Sequence, residues 1–209
     1  MKKLIPLCWL SLAMALPLAG AGPSEPVPIF DGESFAGWEG NREMWRIEDD
    51  ALVGGTLEKE IPKNDFLCTT RRYTNFVLRL KFKLVGEGAN AGVQIRSERI
   101  PGHHEVKGYQ ADLGEPGWWG SLYDESRRNK VLAQSDMTEL NPVLKRGEWN
   151  DYEIRCEGSR IRLSINGVET VDYTEADETI TQSGLIGLQI HSGPPSEAWY
   201  KEITIQELE

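Results

Sequence analysis

The chain has 209 residues and a formal charge of −10 at pH 7, from 23 basic and 33 acidic side chains. Nucleic acids and anionic membranes attract basic surfaces, so this acidic balance argues against either partner. The basic run at 127–130 is too short to change that expectation. The length suits one domain that is large enough to bury a core.

The amino terminus has the pattern of a secretory signal peptide at 1–21. Lys2 and Lys3 precede an apolar run at 4–18, and small residues follow at 19–21. A retained membrane anchor is the alternative, but the run is short and two prolines interrupt it. We therefore expect an exported protein, periplasmic or secreted, with no membrane insertion after cleavage. A Pro-rich linker is expected at 22–28 and a single β-sandwich domain at 29–209.

Alternation of apolar and polar residues predicts strands through most of the chain, because each strand then has one buried and one wet face. In chain order the predicted strands are 44–48, 51–54, 66–70, 76–84, 90–97, 107–113, 130–134, 151–156, 160–166, 168–173, 184–191 and 198–206. Asn166-Gly167 suits a type I′ hairpin turn. No stretch shows a sustained helical period. The expected fold is therefore all-β, a two-sheet antiparallel β-sandwich or jelly roll.

Two cysteines, Cys68 and Cys156, follow the predicted signal peptide, and both lie in apolar strand-like runs. Export permits a disulfide between them, and burial as two free thiols is equally consistent with the pattern. The sequence leaves both alternatives open. It contains no Cys-x-x-Cys pair, which argues against redox catalysis and a thiolate zinc site.

The segment 108–130 interleaves aromatic and charged side chains in a way that suits a sugar ligand. Aromatic rings offer flat apolar surface, whereas carboxylates and guanidinium groups form directional hydrogen bonds with hydroxyls. The aromatic members are Tyr109, Trp118, Trp119 and Tyr123, and the charged members are Asp112, Asp124, Glu125, Arg127 and Arg128. The alternative is a structural loop whose aromatic residues plug the end of the sandwich.

Three predicted strands also carry polar groups on the face opposite the core. The pairs on a shared face are Gln94 with Arg96, Gln110 with Asp112, and Gln189 with His191. If these strands adjoin, the six side chains would form a polar floor walled by the nearby aromatic residues, an arrangement typical of binding sites. The alternative is an ordinary solvent-facing sheet surface.

Several motifs occur in an order that matches one known family. They are Phe30-Asp31-Gly32 with Gly37-Trp38, Asn90-Ala91-Gly92-Val93-Gln94-Ile95-Arg96, Gly108-Tyr109-Gln110-Ala111-Asp112, and Gly187-Leu188-Gln189-Ile190-His191. On these motifs the chain resembles the 3-keto-disaccharide hydrolase domain family from about Pro28 to Leu208. The resemblance implies a concanavalin A-like jelly roll. Ala91 departs from the serine expected at that position.

The resemblance further implies an enzyme that cleaves 3-keto-glycosides or 3-keto-disaccharides. A ketone at C3 acidifies the C2 hydrogen, so a base can remove that proton while the glycosidic oxygen leaves. Water then adds, and the net reaction is hydrolysis. The expected partner is a small carbohydrate substrate. A non-catalytic, lectin-like carbohydrate-binding module is the main alternative, and a structural interaction domain is a third.

This chemistry needs a base, an oxyanion stabiliser and an acid. His191 is the first choice for proton transfer, because histidine side chains ordinarily titrate near neutral pH; the alternative is a structural histidine whose hydrogen bonds are satisfied within the fold. Asp112 could orient it or act as the base, Arg96 could stabilise the oxyanion, and Asp124 or Glu125 could protonate the leaving group. For the last two, salt bridges to nearby arginines are the alternative. The expected substrate-binding residues are Gln94, Gln110, Trp118, Trp119, Tyr123, Gln189, His104 and Arg127.

No cofactor is expected, although a divalent metal at His103-His104-Glu105 is an alternative. Consecutive residues of an extended strand point to opposite faces, so these side chains do not form a clear ligand motif. A direct glycosidase would need two carboxylates across a cleft. The laminarinase-type Glu-x-Asp-x-x-Glu strand motif is missing from the sequence.

Overall fold

The computed structural model describes residues 24–209, so the predicted signal peptide at 1–21 and the start of the predicted linker lie outside the described residues. The described chain contains fifteen strands and one short helix. The strands are β1 (Val27–Pro28), β2 (Trp38–Glu39), β3 (Trp45–Glu48), β4 (Ala51–Thr56), β5 (Asp65–Thr69), β6 (Phe76–Val85), β7 (Asn90–Arg99), β8 (Val106–Gly114), β9 (Leu122–Glu125), β10 (Lys130–Ala133), β11 (Asn150–Glu157), β12 (Arg160–Ile165), β13 (Val168–Thr174), β14 (Leu185–Ile190) and β15 (Ser196–Glu207). The helix is α1 (Met137–Leu140).

The strands form two antiparallel sheets. The first sheet has the order β13-β12-β11-β6-β15-β4-β3, with β1 paired to β15. The second sheet has the order β10-β9-β8-β7-β14-β5-β2. The predicted all-β, two-sheet jelly-roll architecture is therefore confirmed.

The core lies between the sheets, and the period-2 patterns explain which side chains enter it. Along β6, Leu78, Leu80 and Phe82 are buried while Arg79 between them is exposed. On the second sheet Val93 and Ile95 are fully buried and belong to the same apolar cluster. Alternate residues of an extended strand point to opposite faces, so each sheet contributes one apolar face to this core.

The predicted hairpin at Asn166-Gly167 is present. Ile165 pairs with Val168, and the two residues between them have φ angles of 49° and 83°. Positive φ at both turn positions is what a type I′ turn requires, and asparagine and glycine tolerate it best.

Three local predictions were incomplete. Leu122–Glu125, which lies outside the predicted strands, forms β9 and pairs with β8. Val27–Pro28, which we had placed in the linker, pairs with β15. The helix α1 is only four residues long, too short to give a periodic pattern, and Asp136 caps it by accepting a hydrogen bond from the Thr138 amide.

Both cysteines of the described chain, Cys68 and Cys156, are buried free thiols, so the structure contains the second of the two expected alternatives and no disulfide joins them. Burial raises the pKa of Cys68 to about 11 and that of Cys156 to about 12. Neither thiol therefore supplies a reactive thiolate near neutral pH. Within residues 24–209 no helix is long and apolar enough to span a bilayer.

Candidate functional site

A cleft of about 250 Å³ lies on the outer face of the second sheet, the face turned away from the core. Its lining residues are Asn64, Asn90, Gln110, Asp112, Trp118, Tyr123, Glu125 and His191. We call this site the cleft. It combines two aromatic walls with amides, two carboxyl groups and an imidazole, which is the convergent polar arrangement typical of ligand sites.

A larger groove of about 590 Å³ crosses the outer face of the first sheet. Its charged residues neutralise one another, since Arg79 pairs with Glu153 at 2.7 Å and Lys81 with Asp151 at 2.7 Å. These pairs are exposed cross-strand ion pairs of an ordinary sheet surface. The charged side chains that line this groove are therefore engaged in ion pairs with one another, unlike the carboxyl and imidazole groups of the cleft.

The predicted polar floor is partly present, because β8, β7 and β14 are neighbours in one sheet. Gln94 on β7 lies directly opposite Gln110 on β8, and its Nε2 donates to Gln110 Oε1 at 2.5 Å. Gln110 Nε2 in turn donates to Asp112 Oδ1 at 2.7 Å. Gln94 is buried beneath the cleft and reaches it only through Gln110.

Asp112 is the most perturbed acid of the cleft. The residue is only 6% exposed, and burial raises its pKa to about 8. The hydrogen bond from Gln110 opposes this rise, and the nearby charge of Glu125 adds to it. Asp112 is therefore mostly a neutral carboxylic acid at pH 7, able to donate a hydrogen bond or a proton.

The loop after β8 places Trp118 on the wall of the cleft. This loop folds back on the backbone of Asp112, whose amide donates to Ser121 O and whose carbonyl accepts from the Gly120 amide. Trp119 points the other way. Its ring is buried and stacks on Phe82 at a centroid distance of 6.1 Å, so the prediction that Trp119 contacts substrate is wrong.

His191 follows β14 and lies at the end of the cleft beside Asn90, whose carbonyl accepts its backbone N–H at 3.1 Å. Its ring Nδ1 is 2.6 Å from the carbonyl oxygen of Ser192. A carbonyl oxygen can only accept, so Nδ1 must carry the proton in this contact. In the neutral ring, Nε2 is then the free basic nitrogen.

Glu125 lies on the same face of β9 as Tyr123 and lines the cleft. Burial raises the pKa of its carboxyl group, and the charge of Glu105 adds to the rise. Glu105 accepts from Asn64 Nδ2 at 3.2 Å and lies 3.2 Å from His104 Nε2. His104 is thus outside the lining of the cleft and is connected to it through Glu105.

The structure places Arg96 away from the cleft, contrary to the prediction. The β7–β8 register shifts between Ile95 and Glu98, and Arg96 has a φ of 49°. Such a bulge redirects the side chains that follow it. The Arg96 guanidinium donates to Thr74 O, Gly158 O and Gln182 Oε1 at 2.6–2.7 Å, so it joins three loops at the end of the sandwich.

Asp124 and Arg127, which the sequence predicted to contact substrate, do not line the cleft and bind each other instead. Asp124 alternates with the cleft-facing Tyr123 and Glu125, so it points to the core side of β9 and is fully buried. It accepts from Arg127 Nε at 2.8 Å and from Arg128. For Asp124 the salt-bridge alternative is therefore the one observed.

Gln189 is fully buried on the outer side of β14, opposite Gly92 and Phe66. Neither of its side-chain amide atoms has a partner within the described residues. It does not line the cleft, so the structure gives it no direct place in substrate contact.

The sequence patterns did not assign Asn64 or Asn90 to the site, and they gave Glu105 only as part of the metal alternative at 103–105. Asn64 joins two walls of the cleft, since its Nδ2 donates to Glu105 and its Oδ1 accepts from the Ser192 amide at 2.9 Å. Nothing in its local pattern marks it, because it precedes β5 in an irregular loop. Asn90 could have been found, since it opens one of the family-like motifs quoted above.

Within residues 24–209, no group of three or more His, Cys, Asp or Glu side chains is arranged to hold a metal ion. His103 and His104 lie in a turn rather than in a strand, and their rings stack at 4.4 Å.

Comparison with protein families gives one match over most of the chain. The model of the 3-keto-alpha-glucoside-1,2-lyase-like domain matches residues 25–206. The chain has no significant match among curated proteins.

Solved structures share the fold at low sequence identity. A candidate glycosyl hydrolase from Parabacteroides distasonis ATCC 8503 has a TM-score of 0.67 at 17% identity, over 88% of this chain and 94% of that chain. Carbohydrate-binding module CBM66 from Bacillus subtilis has a TM-score of 0.64 at 13% identity, over 82% and 96%. A Bacillus subtilis protein of unknown function with a galectin-like fold has a TM-score of 0.65 at 11% identity, over 90% and 98%.

Proposed function

Because the chain belongs to the family of 3-keto-alpha-glucoside-1,2-lyase-like domains, we propose that it cleaves the glycosidic bond of 3-keto-glucosides by elimination across C1 and C2. Addition of water to the unsaturated product would complete a net hydrolysis. The observation that carries the proposal is the meeting of a basic imidazole nitrogen with two carboxyl groups of raised pKa in one small cleft. We also expect the protein to act after export.

The proposed base is His191 Nε2. The bond from Nδ1 to the Ser192 carbonyl fixes the ring and leaves Nε2 unprotonated in the neutral form. A ketone at C3 lets the C2 carbanion delocalise as an enediolate, so an imidazole is a strong enough base. General base catalysis of this kind contributes about 10²–10⁴-fold to rate.

The proposed donors are Asp112 and Glu125. Asp112, neutral near pH 7, donates a hydrogen bond to the C3 oxygen as negative charge develops there. A buried carboxylic acid held neutral is suited to this role because it needs no reorganisation to donate. Glu125 protonates the departing glycosidic oxygen.

The step balances in atoms and electrons. The C2–H bond breaks and its proton moves to His191, the electron pair forms the C1–C2 double bond, and the C1–O bond breaks. The leaving oxygen takes the proton of Glu125 and departs as an alcohol. Proton exchange with water then restores His191 and Glu125.

Trp118 and Tyr123 support the sugar-ring part of the proposal. Aromatic rings pack against the apolar faces of a pyranose, while the amides of Asn64 and Asn90 offer hydrogen bonds to its hydroxyls. A cleft of about 250 Å³ suits one ring rather than a long chain. The leaving group would then extend into solvent.

The test uses purified protein with a chromogenic 3-keto-glucoside and with the matching unoxidised glucoside. We expect release only from the keto substrate, with the C1–C2 unsaturated sugar detected by NMR before or beside the hydrated product. His191→Gln, Asp112→Asn and Glu125→Gln should each lower kcat by about 10²-fold or more. Glu153→Gln, on the outer face of the other sheet, is the matched control and should leave kcat unchanged.

Equal release from both substrates would overturn the role of the ketone and indicate an ordinary glycosidase. No release from either, together with a sugar-dependent rise in Tm, would favour the non-catalytic carbohydrate-binding module instead.

A further inference from the structure

Four buried polar side chains beneath the cleft form a continuous hydrogen-bonded chain. Ser97 Oγ makes its shortest contact with Gln94 Oε1, at 2.7 Å, and also lies 2.9 Å from Ile95 O and 3.3 Å from Tyr109 O. Gln94 Nε2 donates to Gln110 Oε1 at 2.5 Å, and Gln110 Nε2 donates to Asp112 Oδ1 at 2.7 Å. Each of these residues is at most 6% exposed. We call this chain the relay.

The relay has a direction, because each amide presents its oxygen to one neighbour and its nitrogen to the other. Reversing the contact at Asp112 would require both glutamine amides to turn together by half a rotation. If only Gln110 turned, its oxygen would face Asp112 Oδ1 and its nitrogen would face the nitrogen of Gln94. The two nitrogens would then be buried donors facing each other without an acceptor, which is costly, even though a proton on Oδ1 of neutral Asp112 could donate to the turned oxygen.

Packing around the relay leaves little room for such a rotation. Gln110 lies across Gly92, where an added Cβ would stand 2.7 Å from Gln110 Cγ. Ser97 lies against Gly108, where an added Cβ would stand 2.3 Å from Ser97 Oγ. Gly92 and Gly108 thus leave the space that the Gln110 and Ser97 side chains occupy. The close contact with these two backbones limits rotation of both side chains.

We propose that Ser97 and Gln94 are positioning residues which hold the Gln110 N–H toward Asp112 Oδ1, so that the proton of neutral Asp112 stays on Oδ2. The inference rests on the proposed function, because it explains how Asp112 is kept as a donor toward substrate. Within residues 24–209, Oδ2 has no hydrogen-bond partner, whereas Oδ1 is occupied by Gln110. The donor proton is thereby directed to the free oxygen.

Gln94 also strengthens the Gln110 contact. Hydrogen bonds in a chain polarise one another, so an amide that accepts at its oxygen donates more strongly at its nitrogen. Loss of Gln94 therefore weakens the bond that opposes the rise in the pKa of Asp112. Removing the distant residue should make Asp112 harder to ionise, although Gln94 never touches it.

The experiment follows the titration of Asp112 directly, by ¹³C NMR of the aspartate carboxyl carbons, with the resonance identified by its loss in Asp112→Asn. We expect a higher titration midpoint in Gln94→Leu, and a higher midpoint still in Gln94→Glu. In Gln94→Glu, the introduced carboxylate draws the Gln110 N–H away from Asp112. The matched control is Gln189→Leu, because Gln189 is buried on the same face and its amide atoms have no partner among residues 24–209; this variant should leave the midpoint unchanged.

Kinetics provide the second readout. If the relay orients the proton, Gln94→Leu should lower kcat by about tenfold with KM nearly unchanged, and the alkaline limb of the pH profile should move upward with the NMR midpoint. Ser97→Ala should also lower kcat and raise the Asp112 titration midpoint. Because it changes the side-chain volume less, it can be measured even if Gln94→Leu does not fold.

An unchanged Asp112 midpoint in folded Gln94 and Ser97 variants would overturn the inference, whatever their activity. Failure of the proposed function is separately visible, because the wild-type protein would then not cleave 3-keto-glucosides while the Asp112 midpoint could still respond to Gln94.

Discussion

The Gln110 side chain lies across Gly92 of the neighbouring strand, where a Cβ atom would stand 2.7 Å from Gln110 Cγ and 2.8 Å from Gln110 Cδ. Contacts under 3 Å are steric clashes, so any side chain at this position must displace the amide. Gly92 is therefore part of the cleft, although it contributes no chemical group. Its absent side chain allows Gln110 to reach Asp112.

We expect Gly92→Ala to displace Gln110 and to lower kcat on the keto substrate by about tenfold or more. Overpacking of this kind costs about 1–3 kcal/mol of stability. The measurement pairs kinetics with urea unfolding, so that lost activity is read only under conditions in which the variant is folded. A fully active Gly92→Ala variant would show that the position of Gln110 does not matter for turnover.

The sequence predicted the sheet positions of the cleft better than its loops. Gln110, Asp112 and His191 were found because period-2 alternation places them opposite the core. Arg96 follows the same alternation, but a bulge after Ile95 redirects it. A bulge is set by packing of loops against the strand and leaves no clear mark in the local pattern.

The short strand β9 explains the other errors. Its four residues, Leu122–Glu125, lie among glycines and charges, so the segment has no extended alternating run. Once it pairs with β8, alternation alone places Tyr123 and Glu125 in the cleft and Asp124 in the core. For the adjacent pair Trp118 and Trp119, only the path of the loop decides which ring faces the cleft.

That difference predicts opposite effects for the two tryptophans. Trp118→Ala removes a wall of the cleft and should raise KM by about tenfold, comparable with the loss of one sugar–aromatic contact, while Tm changes little. Trp119→Ala removes a buried ring stacked on Phe82 and should cost about 3–5 kcal/mol of stability. Kinetics and thermal unfolding of both variants test this assignment, and the reverse pattern would contradict it.

The buried acid Asp124 should be structural. Asp124→Asn weakens the bonds of this fully buried carboxylate to Arg127 and Arg128, and we expect a loss of about 2–4 kcal/mol in the free energy of unfolding. Glu153→Gln, which breaks an exposed pair with Arg79, should cost less than about 1 kcal/mol. Denaturant unfolding measures both, and equal losses would indicate that Asp124 is not held as the geometry shows. At a temperature where the Asp124 variant is folded, its kcat should remain close to that of the wild type.

The final prediction concerns Asp112 and the pH dependence of stability. Its folded pKa of about 8 lies above the ordinary value of 3.8, so the folded protein binds a proton that the unfolded chain releases. The folded state therefore gains stability from this group at low pH and loses it as pH rises through about 8. Asp112→Asn keeps a neutral side chain of similar shape and removes this titration.

We therefore expect Asp112→Asn to be at least about 1 kcal/mol more stable than the wild type at pH 9, equivalent to a Tm increase of about 2–4 °C for a chain of this size. At pH 4 the two proteins should differ least. Thermal unfolding across this pH range gives the comparison. A parallel fall of Tm with pH in both proteins would contradict a neutral, buried Asp112. The expected increase in stability would accompany a loss of turnover, as is typical when a buried ionisable group serves catalysis rather than folding.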